Sequence, residues 1–95
     1  MSERPAAARH IVRDEKFVAA LRALACPSTE RMVEQLAKLL AARPHWAPPI
    51  DGSEMRMLHT GAYGEFPALR LYYRFDREAL YLLHVEVYDP LRPER

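Results

Sequence analysis

Ninety-five residues, 11.0 kDa, suffice for one hydrophobic core and not for two, so one domain spanning residues 1–95 is expected. Hydrophobic residues at 49% and charged residues at 28% match a globular chain and set aside disorder across its body. The formal net charge of +1 does not mark a nucleic-acid binder, although twelve of the fourteen cations are arginine, the residue suited to bidentate phosphate contacts.

No apolar run approaches the ~20 residues of a membrane span, and Met1 to Arg9 lacks the apolar middle of a signal peptide, so a cytoplasmic protein with no membrane partner is expected. Cys26 is the only cysteine, which excludes an internal disulfide and a thiolate metal cluster.

Residues 1–8 are polar or small and predict a loose start, followed by a short strand around Arg9 to Arg13. From Asp14, a candidate cap, Phe17, Val18, Leu21 and Leu24 mark one face of an amphipathic helix. Pro27 and Ser28 break that pattern. A second helix is predicted from Ser28 or Thr29, carried by Met32, Val33, Leu36, Leu39 and Leu40 and stopped by Pro44. The short break favours an antiparallel helical hairpin whose apolar stripes cover a sheet.

The stretch from Arg43 to Glu54 holds Pro44, Pro48, Pro49 and Gly52 and predicts a loop, anchored to the body by Trp46. The apolar period then changes to 2. Met55 to His59, Leu69 to Phe75 and Leu80 to Tyr88 predict three strands, the last two joined by a turn at Asp76 to Ala79 and therefore antiparallel neighbours. Residues 90–95 are expected to leave the sheet. The fold class is thus α+β: a short N-terminal strand and a two-helix antiparallel hairpin packed on a small, mainly antiparallel sheet of three to four strands.

The register of the last two strands decides what converges. With Phe75 opposite Leu80, an unbroken ladder sets Arg70 and Arg74 beside Val85 and Tyr81 and places His84 with Leu71 on the other face. A one-residue bulge reverses this, and spacing alone does not choose.

Within this order, Ala68 to Asp89, ALRLYYRFDREALYLLHVEVYD, resembles the paired C-terminal strands of the RelE/ParE superfamily of type II toxins. There, a leucine, arginine, apolar, aromatic, tyrosine, arginine stretch precedes a turn and an apolar strand ending near an aromatic residue or histidine. The resemblance covers the last third of the chain through this motif and the helices only through their pattern. It implies a RelE-like fold and a toxin that works as an endoribonuclease on messenger RNA at the ribosome, inhibiting translation. The ParE branch implies instead a non-catalytic inhibitor of DNA gyrase, and an inert protein-interaction module on the same fold is a third reading. A small, partly disordered cognate antitoxin is the implied partner, covering a groove or an open edge at the final strand.

RNA cleavage without a metal requires a base for the 2′-hydroxyl, cations for the phosphorane and an acid at the leaving oxygen. By resemblance Arg70 takes the scissile phosphate, and Tyr88 contributes to catalysis or stacks on a base; a solvated strand arginine and a half-buried edge tyrosine are the plain alternatives. His84 and His59 are candidate acids or bases, and otherwise ordinary sheet histidines. Glu54 and Glu86 are candidate bases. Arg70, Tyr88, Glu54 and His84 are accordingly assigned to catalysis, and Arg56, Arg74, Tyr63 and Tyr72 to RNA binding. Arg74 otherwise makes a cross-strand ion pair, and the tyrosines, Tyr73 and Tyr81 included, otherwise pack across strands.

Residues 55–95 depart from the family pattern. They hold six arginines, six acids and no lysine, whereas the family's RNA-cleaving members tend to be strongly basic. The four histidines are dispersed, and neither a Gly-rich phosphate loop nor a nucleophile elbow is present, so no metal or other cofactor is expected.

Overall fold

Six elements follow one another along the chain in the computed structural model, which describes residues 9–64 and 66–88: β1 (His10–Arg13), α1 (Glu15–Leu24), α2 (Pro27–Ala42), β2 (Arg56–Thr60), β3 (Leu69–Phe75) and β4 (Ala79–Val87). The loose segments expected at 1–8 and 90–95 lie outside the described residues. Among the described residues, no helix is long and apolar enough to cross a membrane.

Asp14 caps α1, its side chain accepting from the Lys16 N–H at 2.8 Å, with Glu15 in the first turn and Arg22 in the last, both favourable to the helix dipole. The helix ends on Ala25 in the left-handed region, φ 51°, its N–H donating to the Arg22 carbonyl. Pro27 does not separate the helices, as the sequence suggested, but is the first residue of α2, where its missing N–H would have had no partner anyway. The second helix closes at Ala42, just before Pro44.

The strands form one sheet in the order β1-β4-β3-β2, with β1 parallel to β4 and the other pairs antiparallel. The final strand is therefore no open edge. It is interior, paired with β1 on one side and β3 on the other, and the edges belong to β1 and β2. No local sequence signal links His10–Arg13 to a strand more than sixty residues later.

Between β3 and β4 the ladder starts as expected, with Phe75 opposite Leu80, Arg74 opposite Tyr81 and Tyr73 opposite Leu82. It then shifts: Tyr72 pairs with His84, leaving Leu83 as a β-bulge, and Leu71 pairs with Val85 and Arg70 with Glu86. The bulge corrects the unbroken register, bringing Val85 to the buried face and turning His84 and Glu86 outward. Phe17 of α1, Val33, Ala37 and Leu40 of α2, and Leu69, Leu71, Tyr73, Leu80, Leu82 and Val85 of the sheet make one buried cluster. The helices thus cover one face of the sheet and leave the other open.

Trp46 does not anchor the 43–55 loop; it is 55% exposed. Pro44 and Ala47 are buried in its place, held by the fully buried Tyr73, whose hydroxyl donates to the Pro44 carbonyl at 2.7 Å and accepts from the Ala47 N–H at 3.3 Å. A phenol in a core needs partners, and the loop backbone supplies them. Desolvation keeps the Tyr73 hydroxyl protonated by raising its pKa.

Candidate active site on the open face of the sheet

Strand alternation places Met57 and His59 of β2, Arg70, Tyr72 and Arg74 of β3, and Tyr81, His84 and Glu86 of β4 on the face away from the helices. Tyr88 continues that face one position beyond β4, its N–H donating to the Ala68 carbonyl at 2.8 Å.

Glu86 is the hub. Its Oε2 lies 3.4 Å from Arg70 Nη1 and accepts from the Tyr72 hydroxyl at 3.1 Å, and its Oε1 lies 3.4 Å from His84 Nε2. The Arg70 guanidinium carbon sits 3.9 Å from the centre of the Tyr88 ring, and His59 meets that ring edge-on at 5.0 Å. Arg70 Nε is buried and has no hydrogen-bond partner among the described residues. The side chains of Arg70, Glu86 and His84 are 29%, 38% and 46% exposed, so the cluster is open to a ligand and yet ordered by mutual contacts.

The electrostatics follow from this packing. Burial raises the Tyr72 pKa, and the charge and hydrogen bond of Glu86 raise it further, so Tyr72 is a phenol that donates. Partial burial works against the charge on Arg70, but its hydrogen bond to Glu86 and the neighbouring Tyr72 and Glu86 oxygens outweigh that and raise its pKa. A carboxylate with an imidazole and a guanidinium each within reach of it supplies the parts an acid–base phosphodiester cleavage uses.

Of the residues singled out from the sequence, Arg70, Tyr72, His84, Glu86, Tyr88 and His59 come together. Glu54 does not: it is exposed in the loop before β2, at the opposite end of that strand from His59. Arg56 faces the helix side, donating to the Ala47 carbonyl at 2.6 Å and lying over Phe75, so it holds the loop and does not line the open face. Tyr63 lies outside the sheet, 81% exposed, in a turn closed by paired hydrogen bonds with Phe66. Arg74 is on the open face but toward the β3–β4 turn, stacked on Tyr81 and not ion-paired across strands.

Cys26 stands at the start of α2, its thiol pKa lowered by hydrogen bonds to the side chain and backbone of Thr29. Among the described residues no group of three or more His, Cys, Asp or Glu is placed to hold a metal ion. A scan against models of known protein families gives no match, and neither does a search of curated proteins.

Proposed function

We propose that the protein is a metal-independent endoribonuclease of the RelE type, a toxin that cuts messenger RNA, halts translation in the cytoplasm and is held in check by a cognate antitoxin protein. The observation that carries this reading is the gathering of Arg70, His84 and Tyr72 around the Glu86 carboxylate on an exposed sheet face.

The chemistry assigns each group a part. Glu86 accepts the proton of the 2′-hydroxyl as that oxygen attacks phosphorus. Arg70 neutralises the phosphorane charge, and His84 gives a proton to the departing 5′-oxygen, leaving a 2′,3′-cyclic phosphate and a free 5′-hydroxyl. Tyr72, donating to Glu86 Oε2, fixes the carboxylate, and Tyr88 holds the guanidinium over its ring.

Induced expression in a bacterial host with separate pulse labels for protein and DNA synthesis tests this reading. Prompt arrest of protein synthesis by the wild type, relieved in Arg70→Ala, is expected. Arrest of DNA synthesis first would point to gyrase inhibition, and an absence of any growth effect from folded protein to an interaction module.

A further inference from the structure

Beyond the Glu86 cluster the open face continues to the β3–β4 turn. There the Arg74 guanidinium carbon lies 4.0 Å from the centre of the Tyr81 ring. Tyr81 is itself tied down, its hydroxyl donating to Asp76 Oδ2 at 3.0 Å while Asp76 Oδ1 accepts the N–H groups of Glu78 and Ala79 at 2.9 and 2.8 Å. The hydrogen bond to Asp76 raises the Tyr81 pKa, so the ring is a neutral phenol. Val12 of β1 pairs with Tyr81 on the outer side.

Arg74 is exposed, and among the described residues no carboxylate forms an ion pair with it. An exposed planar cation held over a fixed ring is a platform on which a nucleobase stacks. The Asp76 carboxylate beside it makes the spot poor for a phosphate and leaves a base as the favoured occupant. Spacing fits the same ligand. Arg74, Tyr72 and Arg70 recur at every second residue of β3, ~7 Å apart, close to one step of an extended single strand, so Arg74 stands two such steps from Arg70.

We propose that Arg74 and Tyr81 form a base-stacking subsite for single-stranded RNA, two nucleotides from the phosphate that Arg70 holds. The inference rests on the nuclease reading for the identity of that phosphate, and it adds a substrate-length requirement to it.

The test is binding of fluorescent 2′-deoxy oligonucleotides of two and six nucleotides to the intact protein, with cleavage of the matching RNAs followed in parallel. The expected result is that the hexanucleotide binds about 10-fold or more tightly than the dinucleotide. Both Arg74→Ala and Arg74→Lys should remove most of that ratio, because lysine keeps the charge and loses the plane. An unchanged ratio in Arg74→Ala, or a wild-type ratio in Arg74→Lys, would overturn the subsite. Cleavage without any length dependence would overturn it while leaving the nuclease standing. Length-dependent binding that Arg74→Ala and Arg74→Lys both abolish, with no RNA cut by the wild type either free or with ribosomes and messenger RNA present, would retain the subsite and refute the nuclease.

Discussion

Tyr88 carries Arg70 over its ring, the guanidinium carbon 3.9 Å from the ring centre, and its backbone is pinned to Ala68 just past the end of β4. The contact uses the ring and not the hydroxyl. Tyr88→Phe should therefore keep RNA cleavage within about 3-fold, whereas Tyr88→Ala should raise KM or lower kcat by roughly 3- to 30-fold, the range of one cation–π contact. A Tyr88→Phe variant as inactive as Tyr88→Ala would make the phenol a proton donor and not a positioning residue.

The Tyr73 hydroxyl ties the core to the Pro44 carbonyl and the Ala47 N–H, beside the Arg56 bond to the Ala47 carbonyl. Tyr73→Phe leaves the ring in place and strands a buried carbonyl and a buried N–H, at a cost of about 1–3 kcal/mol. Urea unfolding should show this as a lower midpoint with an unchanged slope. A midpoint equal to the wild type's would show that the loop finds other partners.

Ala25 ends α1 at φ 51°, in the left-handed region that a Cβ disfavours. Ala25→Gly should raise stability by about 0.5–1 kcal/mol, the relief of strain exceeding the extra chain entropy of glycine. Thermal unfolding checks this, and a lowered Tm would contradict it.

Asp76 has its pKa lowered by the N–H groups of Ala79 and Glu78 within its own turn. Its native form binds a proton less readily than the unfolded chain, so the stabilisation is complete above the ordinary carboxyl value and is lost as pH falls through the depressed native one. Asp76→Asn should be less stable than the wild type at neutral pH, and the gap should close in that acid window. A gap that stays constant down to the acid limb would rule out the charge as its source.

The local devices were plain in the residues. Asp14 caps its helix, the Leu and Val spacing sets both helical faces, and Asp76 to Ala79 makes the expected turn with Phe75 opposite Leu80. The bulge was not, yet a trace of it stands in the strand itself. The buried Leu80 and Leu82 stand at even positions and the buried Val85 at an odd one, a change of parity that an extra residue reconciles with one buried face. That residue brings Glu86 to Arg70 in place of Val85, so the site hinged on it. Trp46 and Tyr73 were exchanged for a different reason. Size favours tryptophan as an anchor, but Tyr73 lies in a central strand beneath the loop, and its hydroxyl meets two backbone groups there. Glu54 and Arg56 miss the open face because one lies beyond the strand end and the other on the opposite side of the pleat, neither of which a spacing argument could settle before β2 had a register.

The most direct measurement incubates purified protein with a messenger RNA, with and without ribosomes, and compares the wild type with Glu86→Gln, maps the cut sites and identifies the new ends. Glu86→Gln keeps the shape of the side chain and removes its capacity to take a proton. The account predicts fragments ending in 2′,3′-cyclic phosphate with the wild type, and a rate about 10²- to 10⁴-fold lower with the variant, whose Tm stays close to the wild type's. Intact RNA under both conditions, or undiminished cleavage by Glu86→Gln, would contradict it.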